Sequence, residues 1–312
     1  MRDRLPSRRS EVRPRTPAPA LKRTLDDLYL RYDGGEAVPD PVHLVRRFPA
    51  IEDREVVGFC AAALAFGRVQ SILTTLGRLV AVMGDAPGRF VRDFEPTRQG
   101  PALRSLGHRW VRGDDIVALL LVLRHVVRTS GSIERFVVEG DDPAAPDVGH
   151  ALETFSTRVR TLDVSEAYGR APARPGVWFF FPRPSGGSAC KRLNLFLRWM
   201  VRRDRIDPGG WTTVAPARLI VPLDTHVVRV GRCLGLTWSR TPGWRMACEI
   251  TAALRRLDPL DPIRYDFSLC HLGMTGQCRS SAHGRTASCP LRQWCGRRPR
   301  TRPASRRPSA RP

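Results

Sequence analysis

The chain has 312 residues and a mass of 35.0 kDa, enough for one large domain or two modest ones with a real core. Its formal charge is +22 and its pI near 11.2, from 52 basic side chains of which only two, Lys22 and Lys191, are lysine. No apolar run suggests a membrane span, the start has no signal-like apolar segment, and eight cysteines in that context argue against a disulfide framework; the expectation is a cytoplasmic globular protein.

Residues 1–20 and 297–312 are rich in Arg and Pro, lack apolar periodicity, and are expected to be disordered basic arms around a helical domain over 21–296. Within that body, "LKRTLDDLYLRYD", "DREVVGFCAAALAFG", "VQSILTTLGRLVAVMG", "DDIVALLLVLRHVVRT" and "DVGHALETFSTRVRTL" repeat apolar residues at helical spacing. Residues 165–190 then break the period with four prolines, several glycines and the run Trp178 to Phe181, which marks a boundary or an inserted loop. Helical spacing returns in "KRLNLFLRWMVRRD", "HVVRVGRCLGL", "GWRMACEITAALRRLD" and "PIRYDFSLCHLG". No segment sustains a period of two, so the fold class expected is all-α, without internal repeats.

The charge is spread over the whole chain: +6 in residues 1–23, +7 in 296–312 and +9 in the body between. Such an excess attracts a polyanion through counterion release, so nucleic acid leads the partners; compositional enrichment in arginine is the competing explanation. The turn Gly186-Gly187-Ser188 precedes a helix opening with Lys191 and Arg192, and backbone N–H groups in such a turn, backed by basic side chains, suit a phosphate. Its bland alternative is an ordinary helix start.

In a chain that uses arginine almost everywhere, a retained lysine draws notice because an amine can attack carbon and a guanidinium cannot. Desolvation beside a cation such as Arg192 lowers the pKa of an amine enough for Schiff-base chemistry, although Lys22 shows that a lysine also survives by chance. Asp224 stands just before the helical run "THVVRVGRCLGL", where it serves as an N-cap and, facing a lysine, stabilises developing positive charge. His226 either orients Asp224 or is a structural histidine.

Together, "GSACKRLNLFLRWMVRRD" and "IVPLDTHVVRV" resemble the helix-hairpin-helix DNA glycosylase superfamily, which includes endonuclease III and the 8-oxoguanine glycosylases, and within it more closely a bacterial family of unknown function. The likeness spans about residues 24–295 and is most specific over 184–236. It implies a two-lobed helical fold, double-stranded DNA as partner, a monomer, a nucleoid-associated setting and no membrane. It further implies Lys191 as the nucleophile that attacks C1′ of a damaged, possibly oxidised, nucleotide and Asp224 as the assisting carboxylate, giving a base-excision repair glycosylase with AP-lyase activity. The alternative is a non-catalytic DNA-binding relative. Asp224 follows Lys191 by 33 positions, longer than in endonuclease III and closer to the archaeal 8-oxoguanine glycosylases.

In the same resemblance, "AAALAFGRVQSI" occupies the helix junction that faces the flipped base, so Arg68 and Gln70 join Gly186, Gly187, Ser188 and Arg192 as candidate DNA contacts. The segment "HRWVRGDD" is assigned no role beyond a backbone contact, and the Trp178–Phe181 run is either a wedge or an anchor to the core. The terminal cysteines, Cys270-x7-Cys278-x10-Cys289-x5-Cys295, are a ligand set for a [4Fe–4S] cluster as in endonuclease III. Only the last gap matches that pattern, since Thr286 stands where a cysteine belongs; a zinc site using His283 and free thiols are the other readings.

Overall fold

The computed structural model describes residues 19–32, 39–278, 280–281, 284–285 and 288–295. The expected arm up to residue 18, the tail from 297 and His283 lie outside the described residues. Among the described residues there are fourteen α-helices, short 3-10 turns, and one pair of two-residue strands, Ser280–Ser281 with Gly284–Arg285. The fold is therefore all-α. No helix among the described residues is long and apolar enough to cross a membrane.

The nine helices of nine residues or more fall on the nine periodic stretches: Pro19–Tyr32, Ile51–Ala63, Val69–Met83, Gly113–Ser130, Gly149–Val159, Lys191–Val201, Thr225–Cys233, Trp244–Arg255 and Asp266–Met274. Two of them are buried nearly all round: Glu55 to Ala63 in the Ile51 helix and Ile116 to Leu123 in the Gly113 helix. A helix without a polar face packs at the centre, and shorter elements gather on it. The Gly113 helix starts where the Asp115 carboxylate accepts from the Arg112 N–H at 2.9 Å, and ends at Gly131, whose φ of 81° lies in the left-handed region that favours glycine.

Glu55 is a buried carboxylate in this core, yet it accepts from Ile133 N–H at 2.9 Å, Glu134 N–H at 2.8 Å and Trp211 Nε1–H at 2.8 Å. Burial still pushes it above its ordinary pKa, with these donors opposing. It ties the Ile51 helix to the N-terminus of the Ile133–Val138 helix and to the loop carrying Trp211.

Residues 165–190 are irregular, as their prolines require: a short helix, Ser165–Tyr168, and 3-10 turns at Gly176–Phe180 and Pro184–Gly186. The segment before the Gly-rich turn is thus not an α-helix, and the hairpin implied there has an α-helix only on its C-terminal side. Pro182 and Pro184 lack the N–H donors a helix needs. Of the aromatic run, Phe180 and Phe181 are buried, with the Phe181 ring 5.5 Å from Phe59 and 5.9 Å from Phe155, so this part is an anchor.

The Lys191 helix packs along the Ile51 helix, and the Thr225 helix against the Asp266 helix. A buried charge network joins these layers. Arg198 pairs with Asp207 at 2.8 Å and Asp266 at 2.7 Å, while Arg202 binds Asp207, Asp204 at 2.8 Å and Asp261 at 3.0 Å. Burial works against both guanidinium charges, but the surrounding carboxylates hold them above their ordinary value. Such a network adds little net stability over apolar packing, but it fixes where the two helices sit.

Candidate active-site cavity

Between the Lys191, Thr225 and Asp266 helices and the loop after the Ile51 helix lies a cavity of about 850 Å³. Lys191 and Asp224, 33 positions apart, both line it. Each stands at the head of a helix.

Lys191 is aimed by the turn before it. Pro184, Ser185 and Gly186 form a 3-10 turn, Gly187 closes it at φ 75°, and Cys190 takes a left-handed conformation at φ 47° that is costly for a residue with a Cβ. The Cys190 thiol reaches the Pro182 and Ser188 carbonyls, and Asn194 Nδ2 donates to Ala189 O at 3.1 Å. The half-buried Lys191 side chain then crosses to the loop after the Ile51 helix, where Nζ donates to Ala65 O at 3.0 Å.

Asp224 is the N-cap of the Thr225 helix. Its Oδ1 accepts from Val227 N–H at 2.7 Å, and its Oδ2 accepts from the Cys270 thiol at 3.0 Å. Burial first, then the Asp224 charge, push the Cys270 thiol well above its usual pKa, so it is a neutral donor. His226 does not orient Asp224: it lines the cavity, but its Nδ1 meets Arg229 Nη2 at 3.2 Å, one turn along the same helix.

Four further titratable residues line the cavity, and sequence patterns had not marked them: Asp40, Arg198, Asp266 and His271. Burial raises Asp266 to about 6 despite its pairing with Arg198. His271 is lowered, mainly by burial; its Nδ1 meets Phe267 O at 2.8 Å, and its Nε2 lies 3.9 Å from Asp40 Oδ2. Asp266 Oδ1 and His271 Nε2 are both buried without a hydrogen-bond partner. Orphaned buried polar atoms are rare in native folds, and two of them on cavity-lining residues suit a polar ligand. The one signal in the sequence was spacing: Arg198 lies seven residues after Lys191, and Asp266 four before Cys270, each on the same face of its helix.

The expected DNA contacts divide. Arg68 lines the cavity mouth and is exposed, whereas Gln70 is exposed but absent from the lining. Gly186 and Gly187 are exposed, Ser188 half-buried, but the N–H groups of Gly186 and Gly187 already bond Arg183 O at 3.2 Å and Pro184 O at 2.9 Å. Those two are therefore taken up within the turn rather than left for a phosphate. Arg192 turns inward: its guanidinium donates to Phe179 O and lies 3.7 Å over the Phe179 ring, and burial lowers it to about 10.

A surface within the segment "HRWVRGDD" lies nearby. Arg109 and Trp110 form the tip of a tight turn closed by the His108–Val111 bridge, and His108 Nε2 meets Phe66 O at 2.7 Å. Trp110 is 58% exposed, with its ring 4.8 Å from Phe66, a residue of the cavity lining, and 5.5 Å from Phe179.

The cysteines do not form the expected set. Cys270 lies on the face of the Asp266 helix that closes the cavity, so its sulfur meets Asp224, and Cys295 is disulfide-bonded to Cys233. Cys278 and Cys289 alone of the four touch one another. The set Cys270, Cys278, Cys289 and Cys295 therefore does not fit a [4Fe–4S] cluster, because a thiol bonded to a carboxylate elsewhere is not turned toward the other three.

The family described as "Protein of unknown function (DUF2400)" matches residues 40–275, a span that holds every residue of the cavity lining except Pro39. The chain belongs to this family. In this DUF2400 member the match leaves out Cys278, Cys289 and Cys295 and covers Lys191, Asp224 and Cys270. No curated protein and no solved structure matches the chain.

Proposed function

We propose that this protein is a DNA glycosylase with lyase activity, which excises a damaged base after it is flipped from duplex DNA into the cavity. The observation that carries this reading is the meeting of Lys191 and Asp224, from the heads of two separate helices, on one cavity with orphaned polar atoms in its wall. The charge of +22 supplies attraction to the phosphate backbone, and the exposed Trp110 beside the mouth offers a face on which a base stacks.

In this reading the cavity receives the flipped nucleotide, whose extrusion costs a few kcal/mol that backbone and stacking contacts offset. The Lys191 amine attacks C1′ as the C1′–N bond breaks. The base leaves with the bonding electron pair and takes up a proton. The Asp224 carboxylate stabilises positive charge on the sugar while this bond breaks. Opening of the sugar ring gives an imine between Lys191 and C1′; loss of a C2′ proton then expels the 3′ phosphate and nicks the strand. Reduction of the imine by borohydride freezes it as a stable amine.

The test is borohydride trapping on duplex oligonucleotides carrying 8-oxoguanine, an oxidised pyrimidine or an abasic site, with wild type, Lys191→Gln and Asp224→Asn. A covalent adduct that disappears in Lys191→Gln, while that variant keeps its thermal unfolding midpoint, is the expected result. Glutamine retains a donor toward Ala65 O, so the fold should hold. DNA binding with neither adduct nor released base would overturn the reading in favour of a non-catalytic DNA-binding protein.

A further inference from the structure

The reaction proposed above leaves three acceptors on the cavity wall unused. His271 Nδ1 stands 2.8 Å from Phe267 O, a carbonyl that only accepts, so the ring proton is on Nδ1. Burial foremost lowers this ring below its ordinary pKa, so near neutral pH it is uncharged and Nε2 presents a lone pair. That atom is buried and, among the described residues, has no hydrogen-bond partner. Asp40 Oδ2 lies 3.9 Å from it and cannot serve, since both atoms accept. The Asp40 carboxylate is held in place through Oδ1, which accepts from Val42 N–H at 2.9 Å.

Asp266 supplies the third acceptor. Its Oδ2 accepts from Arg198 at 2.7 Å, while Oδ1 is buried without a partner among the described residues. The Asp40 charge bears on both His271 and Arg198, and the Asp224 charge on both His271 and Asp266, so these groups form one cluster on the cavity they line.

We propose that Asp40, His271 and Asp266 select the base by an edge with three N–H hydrogens on two neighbouring nitrogens, which is the edge of guanine. The proposal rests on reading the cavity as the seat of a flipped base, and adds which base it takes. A flipped base is read along its pairing edge. Guanine carries one hydrogen on N1 and two on the exocyclic N2, as many as the wall has acceptors. Adenine and cytosine carry two on one nitrogen, beside a ring lone pair that the carboxylates of Asp40 and Asp266 repel. Thymine and hypoxanthine carry one. A base that lacks one of guanine's hydrogens leaves a buried acceptor unpaired in the complex, and discrimination arises there. Oxidation at C8 or alkylation at N7 leaves this edge unchanged, so the rule names the parent base and not the lesion.

The experiment titrates the full chain, near neutral pH, with duplex oligonucleotides that carry one unpaired guanine, hypoxanthine, cytosine or thymine nucleotide. An unpaired base is cheap to extrude. Its sugar is 2′-fluorinated, so the C1′–N bond resists cleavage and affinity is read without chemistry. Ratios between duplexes cancel the general attraction to phosphate. Wild type should bind unpaired guanine about 10- to 100-fold more tightly than hypoxanthine, which differs by the N2 amine alone, and more tightly than cytosine or thymine.

Asp40→Asn keeps an oxygen for Val42 N–H and puts an amide donor where Oδ2 stood. Its preference for guanine over hypoxanthine should shrink to within about 3-fold, with the thermal midpoint kept. His271→Phe keeps a ring beside Phe267, removes Nε2, and should do the same. Equal affinity of wild type for guanine and hypoxanthine, or a preference that survives either substitution, would overturn the proposal. The wild-type comparison needs no variant, so misfolding cannot mask the answer. Borohydride trapping with the same preparations separates the two readings. Guanine preference without an adduct upholds the edge selection and removes the lyase; an adduct without the preference does the reverse.

Discussion

The Cys270 thiol donates to Asp224 Oδ2 at 3.0 Å, across 46 residues, so the carboxylate heading the Thr225 helix is held from both sides: Val227 N–H on Oδ1 and a sulfhydryl on Oδ2. Cys270→Ala removes one of these donors and frees the carboxylate to swing. Because a hydrogen bond to a charged group is worth roughly 1.5–3 kcal/mol and a thiol is a weak donor, the rate of base excision should fall about 3- to 10-fold. Cys270→Ser, which keeps a donor, should recover most of it. Single-turnover rates across pH for both variants check this; equal loss in both would point to packing instead.

Asp266 gives stability a pH dependence of known sign. Burial raises it from 3.8 to about 6. A carboxyl raised in the folded state contributes stability that is present below pH 4 and lost as pH rises through 6, because the native state then gives up a proton it held more tightly than the unfolded chain did. Asp266→Asn does not titrate. Its stability should therefore gain on that of wild type by on the order of 1–3 kcal/mol between pH 4 and 7. Denaturant unfolding of both proteins at several pH values measures the difference; a constant gap would show that Asp266 titrates normally.

Gly187 and Gly186 make a matched pair. A Cβ would meet nothing within 4 Å at either, but Gly187 has φ 75° and its carbonyl accepts from Trp244 N–H at 3.2 Å. Gly187→Ala should cost about 1–2 kcal/mol through backbone strain alone, and Gly186→Ala less than about 0.5 kcal/mol. Urea unfolding midpoints decide it. If the turn positions Lys191, Gly187→Ala should also slow borohydride trapping more than Gly186→Ala does.

Trp110 tests the surface rather than the cavity. Being 58% exposed, it can be replaced without opening the core, so Trp110→Ala should leave the thermal midpoint within a few degrees of wild type. Loss of a stacked base is worth about 1–3 kcal/mol, and affinity for duplex DNA should fall roughly 5- to 100-fold at fixed salt. Fluorescence anisotropy at two salt concentrations is the measurement. Unchanged affinity would remove Trp110 from the DNA-binding surface.

How far the sequence reached differs between elements. "DDIVALLLVLRHVVRT" and "VQSILTTLGRLVAVMG" declare helices because the signal is a repeat within one turn or two, and the prolines of 165–190 declare irregularity for an equally local reason. Asp224 as an N-cap is also local, since the group it accepts from is three residues away. Lys191 drew notice by its rarity, and that needed no structure at all.

What the sequence by itself determined is therefore the all-α class, the helix positions, and the two residues at the heads of the Lys191 and Thr225 helices. Only the tertiary structure decided that these two face one cavity, that Arg192 turns inward onto Phe179, that Cys270 meets Asp224, and that Cys233 pairs with Cys295. The reason is physical. Helical periodicity is written in neighbours three and four residues apart, but the direction a thiol or guanidinium takes is set by which helices pack together across the core, and no short-range pattern encodes that choice.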